Sequence, residues 1–201
     1  MKALISLTIV TLLAFVYPAY SVESNLNEKE LAIKIISSEQ VLITHKTIEI
    51  GADFDNFTQN LEAILGKFDP SVGATLASDS KAAEEKIKKM AGEQGLMIFG
   101  SQNHGALFAM LGKKMKAKRY HIGNPLTAIQ MTQHNIRAGL YAPMTVLVYE
   151  PEPLKVRIDY DLPSSEFGQF KNAHINEVAS GLDLKLEKVI EKAFQLSSGE
   201  K

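Results

Sequence analysis

Two short runs joined by a proline-rich turn constrain the fold of this chain most. Residues 145–149 are mainly apolar, which is typical of a central β-strand. Residues 154–160 alternate apolar with charged side chains, which is typical of a strand with one face toward water. Pro151 and Pro153 lie in the turn between the two runs. Together they predict a β-hairpin and therefore an antiparallel sheet.

Further strands and amphipathic helices surround this hairpin. The chain also contains strand-like runs at 41–50, 95–100 and 120–123, and residues 68–78 are predicted to be a loop. Helical spacing of apolar residues predicts helices over 54–65 with Asp53 as N-cap, 80–94, 104–111, 124–133 and 167–193, the last with a kink at Gly181. The order of these elements predicts one α+β domain over 41–197, with a small, largely antiparallel sheet and helices packed on one side.

The N-terminus has the pattern of a secretory signal peptide. Lys2 precedes an almost entirely apolar run over 3–16, and small residues follow at Ala19 and Ser21. The apolar run is shorter than the roughly 20 residues of a spanning helix, so a signal peptide over 1–21 is favoured over a membrane anchor. Residues 22–40 are then a lead-in to the domain, and the mature protein is expected in the periplasm, or secreted, without a stable membrane anchor.

Composition limits the remaining function classes. The 201 residues carry a net charge of −1, which argues against a nucleic-acid-binding surface. The chain has no cysteine, which excludes disulfides, thiolate metal sites and a cysteine nucleophile. No Gly-rich phosphate loop, dinucleotide fingerprint or zinc-protease motif is present, so neither a cofactor nor a metal is predicted.

The candidate site residues follow predicted strands or begin helices. Gly123 and Asn124 precede Pro125, and the free N–H groups of that helix start could hold an anion or carboxylate, although Asn124 could instead satisfy them itself. His104 follows a strand and is a candidate base or ligand. Loops at strand ends form pockets, so a ligand-binding cleft is predicted at His104, Gly123, Asn124, Pro143 and Tyr160.

Other interpretations of these residues stay open. A hydrolase-like enzyme could use His104 as general base while the Asn124 helix start holds an oxyanion. A periplasmic copper-handling protein could use His104 with Met97, because cuprous copper takes thioether and imidazole ligands. The basic run 113–119 is either a solvated loop or a patch that faces an anion.

Several short motifs between Gly95 and Pro163 resemble the domain of unknown function 302 family. They are, in order, a strand leading to His104, then Tyr120-His121-Ile122-Gly123-Asn124-Pro125, Ala138-Gly139-Leu140-Tyr141-Ala142-Pro143, Val146-Leu147-Val148-Tyr149-Glu150 and Tyr160-Asp161-Leu162-Pro163. Asn103 stands where the family has aspartate before the histidine, and Ala142 where it has leucine. The resemblance implies the family's fold and a homodimer, but no established activity. The chain is therefore expected to be an exported, non-enzymatic module that binds a small ligand or a protein partner.

Overall fold

The computed structural model describes residues 34–199. Residues 34–39 belong to a different compact unit from the one that begins at Gln40, and they have no regular secondary structure. The predicted signal peptide, 1–21, and most of the predicted lead-in, 22–40, lie outside the described residues. No helix within 34–199 combines the length and the apolar character that a membrane crossing requires.

From Gln40 on, the chain forms a mixed sheet with helices. The strands are β1 (His45–Gly51), β2 (Gly66–Lys67), β3 (Met97–Asn103), β4 (Ala117–Gly123), β5 (Met144–Glu152) and β6 (Lys155–Asp161). The α-helices are α1 (Phe54–Ile64), α2 (Val72–Ser78), α3 (Ser80–Met90), α4 (Pro125–Thr132), α5 (Pro163–Gly168) and α6 (Ala173–Ser198). The 3₁₀ helices of the described residues cover Glu93–Gly95, Gly105–Leu111 and Ile136–Tyr141.

The six strands lie in the order β1-β6-β5-β4-β3-β2. All neighbouring pairs are antiparallel except β2 and β3, which are parallel. The predicted hairpin is confirmed as β5 and β6, with Val148 opposite Ile158. The predicted α+β class and the largely antiparallel sheet are also confirmed.

One face of the central strands carries the main core. Tyr120, Val146 and Ile158 point from neighbouring strands into this core and are fully or almost fully buried. The residues between them along the strands, such as Leu147 and Arg157, stay partly exposed. Helices α1 and α6 supply the opposing layer, through these buried residues: Phe54, Phe57, Leu61, Ile175, Ala179, Leu182, Leu186, Val189, Ile190 and Ala193.

A second, smaller cluster lies at the β2–β3 end of the sheet. Val72 of α2, Ala83 and Ile87 of α3, and Met97 of β3 are buried together there. Asp53 and Asp79 cap α1 and α3 by accepting hydrogen bonds from backbone N–H groups, each at 2.9 Å. The prediction of the Asp53 cap is therefore confirmed.

The connection from α1 to β2 and the connection from α3 to β3 lie close together at the same end of the sheet. The N–H groups of Gly66 and Gly92 both donate to the carbonyl oxygen of Leu96, at 3.1 and 3.0 Å. A Cβ atom on Gly66 would overlap the carbonyl oxygen of Met90, and one on Gly92 would overlap the backbone at Gly66. Both positions therefore require glycine for steric reasons.

Several predicted boundaries were wrong. The predicted loop 68–78 contains α2, and the helix predicted over 80–94 ends at Met90. The first strand covers His45–Gly51, later than the predicted 41–50. The C-terminal helical region is two helices, and α6 continues through Gly181, where a kink was predicted.

Candidate functional site

Asn124 forms the turn from β4 to α4, here named the corner. Its backbone is extended, and its Oδ1 accepts a hydrogen bond from the Leu126 N–H at 2.7 Å. Its Nδ2 donates to the carbonyl oxygen of Gly95, also at 2.7 Å. With Pro125 in the first turn, this confirms the predicted start of α4. The side chain satisfies one N–H of the helix start and ties α4 to the connection before β3, so both of its polar atoms already have partners.

Gly123 and Pro143 lie against each other beside this corner. A Cβ atom on Gly123 would lie 3.2 Å from Cβ of Pro143 and 3.6 Å from a ring atom of Phe99. A side chain at position 123 would therefore press on the proline ring. The structure thus brings together three of the predicted site residues: Gly123, Asn124 and Pro143.

An apolar cavity of about 380 Å³ opens next to these three residues. It lies between α4, the end of β4 and the start of β5, and α5 and α6 contribute Phe167 and Leu182 to its wall. Its remaining lining is Phe68, Phe99, Gly123, Asn124, Pro125, Thr127, Ala128, Ile129, Met131, Thr132, Tyr141, Ala142, Pro143 and Met144. No charged side chain lines the cavity among the residues that the structure describes.

Aromatic rings give this cavity its shape. Phe68 and Phe99 stack with their ring centroids 4.4 Å apart. Tyr141 meets Phe167 edge to face at a centroid distance of 6.0 Å. Such pairs hold ring orientations more firmly than burial alone. Phe68, Phe99 and Phe167 were not predicted as lining residues, because the sequence pattern indicated a loop at Phe68 and a strand and a helix at the other two.

His104 lies far from this cavity. It follows Asn103, which pairs with Lys118 near the start of β4, whereas Gly123 ends β4. The two ends of β4 are roughly 20 Å apart at about 3.4 Å per residue. His104 Nε2 lies 3.3 Å from Gln102 Oε1, and neither residue lines the cavity. The prediction that His104 and Asn124 line one cleft is therefore wrong. The general-base mechanism needed both residues in that cleft and is rejected for the same reason.

Tyr160 also lies outside the cavity. Its side chain points into the main core, and its hydroxyl is buried without a hydrogen-bond partner among the described residues. Burial raises the pKa of this hydroxyl, and the nearby Lys46 ammonium, itself paired with Glu187, opposes the rise. Tyr160 thus belongs to a polar cluster between β1, β6 and α6.

The copper hypothesis required Met97 and His104 to approach each other. Met97 is fully buried in the small cluster at one end of β3, and His104 follows the other end. Those two side chains therefore do not form a common site. Within residues 34–199, no group of three or more His, Asp or Glu side chains is placed to hold a metal ion.

Glu166 of α5, next to the cavity residue Phe167, is a half-buried carboxyl. Burial raises the pKa of Glu166 from 4.5 to about 7, and the negative charge of Asp161 adds to the rise. Asp161 in turn accepts a hydrogen bond from His45 at 2.8 Å and raises the pKa of that imidazole.

The raised pKa of Glu166 predicts a pH-dependent stability. Between about pH 4.5 and 7 the folded protein holds a proton that the unfolded chain releases, so this group makes folding less favourable as pH rises. Glu166→Gln cannot ionise and therefore removes the effect. The free energy of unfolding of this variant, taken relative to wild type, is expected to be about 1–3 kcal/mol higher at pH 8 than at pH 4. Urea unfolding at the two pH values measures the change. Glu191→Gln, at an exposed position of α6, is the control; equal pH profiles for all three proteins would contradict the assignment.

Similarity to known proteins identifies the family of this chain. A family model described as "Domain of unknown function DUF302" matches residues 72–193. The chain belongs to the DUF302 family. This match confirms the resemblance drawn from the short motifs. The DUF302 region runs from α2 into α6, and it contains the whole lining of the cavity except Phe68.

A solved DUF302 structure shares the fold. The crystal structure of an uncharacterized conserved DUF302 protein from Bacillus stearothermophilus superposes with a TM-score of 0.52 at 14% sequence identity. The match covers 74% of this chain and 97% of the other. At this identity the likeness concerns the fold alone. No curated protein matches the chain.

A second, polar pocket of about 450 Å³ lies between α4 and α6 of this DUF302 protein. His134 and His174 stack there, with ring centroids 4.8 Å apart and planes at 12°. Glu177 and Lys185 line the same pocket. The histidine pair could not be predicted from the sequence, because 40 positions separate two residues that only the packing of α4 on α6 brings together.

Proposed function

We propose that this DUF302 protein binds a small, neutral, mainly apolar molecule in the cavity beside α4. The observation that carries the proposal is the cavity of about 380 Å³, lined by aromatic and aliphatic side chains. Its volume falls within the roughly 300–1,000 Å³ of small-molecule sites, which are typically concave and apolar with a few polar groups.

The lining indicates the kind of ligand. A charged group would lose its water there without gaining an opposite charge, because the lining described above has none. The hydroxyls of Thr127 and Tyr141 supply polar contacts, whereas Asn124 already has partners for both of its side-chain atoms. A flat ring could lie against the stacked Phe68 and Phe99. These features favour a neutral ligand with an apolar body.

The cellular setting is part of the same proposal. The N-terminal pattern of Lys2 and the apolar run 3–16 supports export and signal cleavage after Ser21. We further propose a periplasmic location, a homodimer and a role as a non-enzymatic binding module without nucleic-acid partners. The near-neutral net charge of −1 supports the last point.

Filling the cavity tests the binding proposal. The neutral fluorescent probe N-phenyl-1-naphthylamine is expected to bind the wild-type protein with increased fluorescence. Ala128→Phe places a ring in the cavity and should weaken probe affinity by about tenfold or more, because the ring displaces the probe. The melting temperature should not fall, since the added ring occupies existing space.

Gln130→Phe is the matched control for this experiment. Gln130 lies on the same helix, is exposed and does not line the cavity, so this variant should bind the probe as the wild type does. Failure of the wild-type protein to bind the probe, or equal affinity in the Ala128 and Gln130 variants, would reject the cavity as the site. Native mass spectrometry of protein purified from its producing cells reports a retained small molecule and the subunit number together.

A further inference from the structure

We propose that residues 105–115, here named the tip, dock this protein reversibly on an anionic phospholipid bilayer. The tip consists of the 3₁₀ helix Gly105–Leu111 and the loop that follows it up to Met115. It lies at the opposite end of β4 from the cavity, so the inference is independent of the proposed ligand site.

The tip concentrates exposed apolar side chains. Leu107 is 53% exposed, Met110 80%, Leu111 68% and Met115 44%. A single exposed apolar residue is ordinary on a protein surface, but four within nine positions concentrate apolar surface in one short segment, here named the apolar patch. Such side chains gain free energy when they enter the boundary between lipid headgroups and acyl chains.

Contacts within and beside the tip fix the backbone conformation in which these side chains are exposed. Asn103 Oδ1 accepts a hydrogen bond from the Ala106 N–H at 2.9 Å, which fixes the start of the 3₁₀ helix. Gly105 packs so closely on the backbone of Met115 and Ala117 that a Cβ atom there would overlap it. Gly112, at a φ of 65°, ends the helix in a left-handed conformation. The apolar patch is therefore presented by a fixed backbone.

The charges of the tip select an anionic surface. Lys113 and Lys114 are exposed and make no ion pair within residues 34–199, whereas the following Lys116 pairs with Asp55 at 2.9 Å. The tip contains no acidic residue. Two unpaired lysines beside an apolar patch combine the electrostatic and hydrophobic contributions that membrane-surface binding requires. This complementarity favours an anionic bilayer over a protein surface or a second copy of the chain.

Vesicle co-sedimentation tests the proposal with the protein purified from cells that express the full chain. Wild-type protein should sediment with vesicles of equal parts phosphatidylglycerol and phosphatidylcholine, and far less with phosphatidylcholine alone. Replacing both lysines, Lys113→Gln with Lys114→Gln, should weaken partitioning by about 25-fold at low salt, because each lysine near an anionic surface contributes roughly fivefold. Met110→Glu with Leu111→Glu should weaken it by at least about tenfold.

A matched pair of exposed apolar residues supplies the control. Ile136 and Leu140 are 80% and 79% exposed in the 3₁₀ helix before β5, away from the tip. Ile136→Glu with Leu140→Glu should leave vesicle binding unchanged. Every variant shares the same N-terminal residues, whose contribution cancels in the comparison, and circular dichroism confirms that each is folded.

Three results would overturn the proposal. They are equal sedimentation with neutral and anionic vesicles, equal loss in the control and tip variants, and no loss in the tip variants. A tip variant that changes the oligomeric state by light scattering, while vesicle binding persists, would instead assign the patch to self-association.

Discussion

Gly66→Ala is expected to destabilise the protein by about 3 kcal/mol or more. A Cβ atom at this position would overlap the Met90 carbonyl oxygen and crowd the Gly92 N–H. These are backbone atoms, so no side chain can rotate away, and β2 would have to separate from the connection after α3. That connection also leads to Leu96, whose carbonyl oxygen accepts both glycine N–H groups.

Gly73→Ala is the matched control for this effect. Gly73 lies in α2, and a Cβ atom there would meet nothing within 4 Å in the part of the chain that the structure describes. Alanine is the better helix former, so this substitution should be neutral or stabilise the protein by up to about 1 kcal/mol. Urea unfolding of the two variants measures the difference. A Gly66→Ala protein within about 1 kcal/mol of wild type would show that the contact between the two connections is looser than described.

Phe167→Ala is expected to cost about 3–5 kcal/mol, because the ring is fully buried and its removal leaves a void next to an existing cavity. The ring packs in the main core and lines the cavity, where it meets Tyr141 edge to face. Its loss removes apolar burial and the aromatic contact together. The cavity would also become larger, so the affinity for N-phenyl-1-naphthylamine should change in the same variant.

Phe170→Ala distinguishes burial from aromatic contact. Phe170 also meets Tyr141 edge to face, at 6.1 Å, but it is only half-buried. Its replacement should therefore cost clearly less than that of Phe167 in thermal or urea unfolding. Similar costs for the two variants would mean that the Tyr141 contact, rather than core burial, dominates at Phe167.

The sequence predicted the fold correctly where a residue pattern is typical of a single kind of element. Strict alternation over 154–160 specified β6 and its hairpin with β5, and Asn124-Pro125 specified the start of α4. The pattern failed at α2, because Pro70 and Gly73 are typical of loops, yet Pro70 precedes the helix and Gly73 occupies its first turn. A short helix held by tertiary burial of Val72 carries little signal of its own.

The candidate site was only partly predictable, for a topological reason. His104 follows β3 and Asn124 follows β4, so both were expected at the end of a strand. Because β3 and β4 are antiparallel neighbours, the C-terminal end of β3 lies beside the start of β4, at the opposite end of the strand pair from the C-terminal end of β4. Asn124 and Pro143 do meet, because β5 begins beside the end of β4. Strand pairing, which a single sequence does not state, decides which loops share a pocket.

The two outer strands of the sheet affect how the protein behaves at high concentration. An uncovered strand edge is a template for chain-to-chain β-pairing and aggregation, which short or charged edge strands oppose. At one edge β2 has two residues, which pair with Met97 and Ile98 of β3. At the other, β1 presents Lys46 and Glu49 among its residues. The shortness of β2 and the charges of β1 oppose edge-to-edge polymerisation of the sheet.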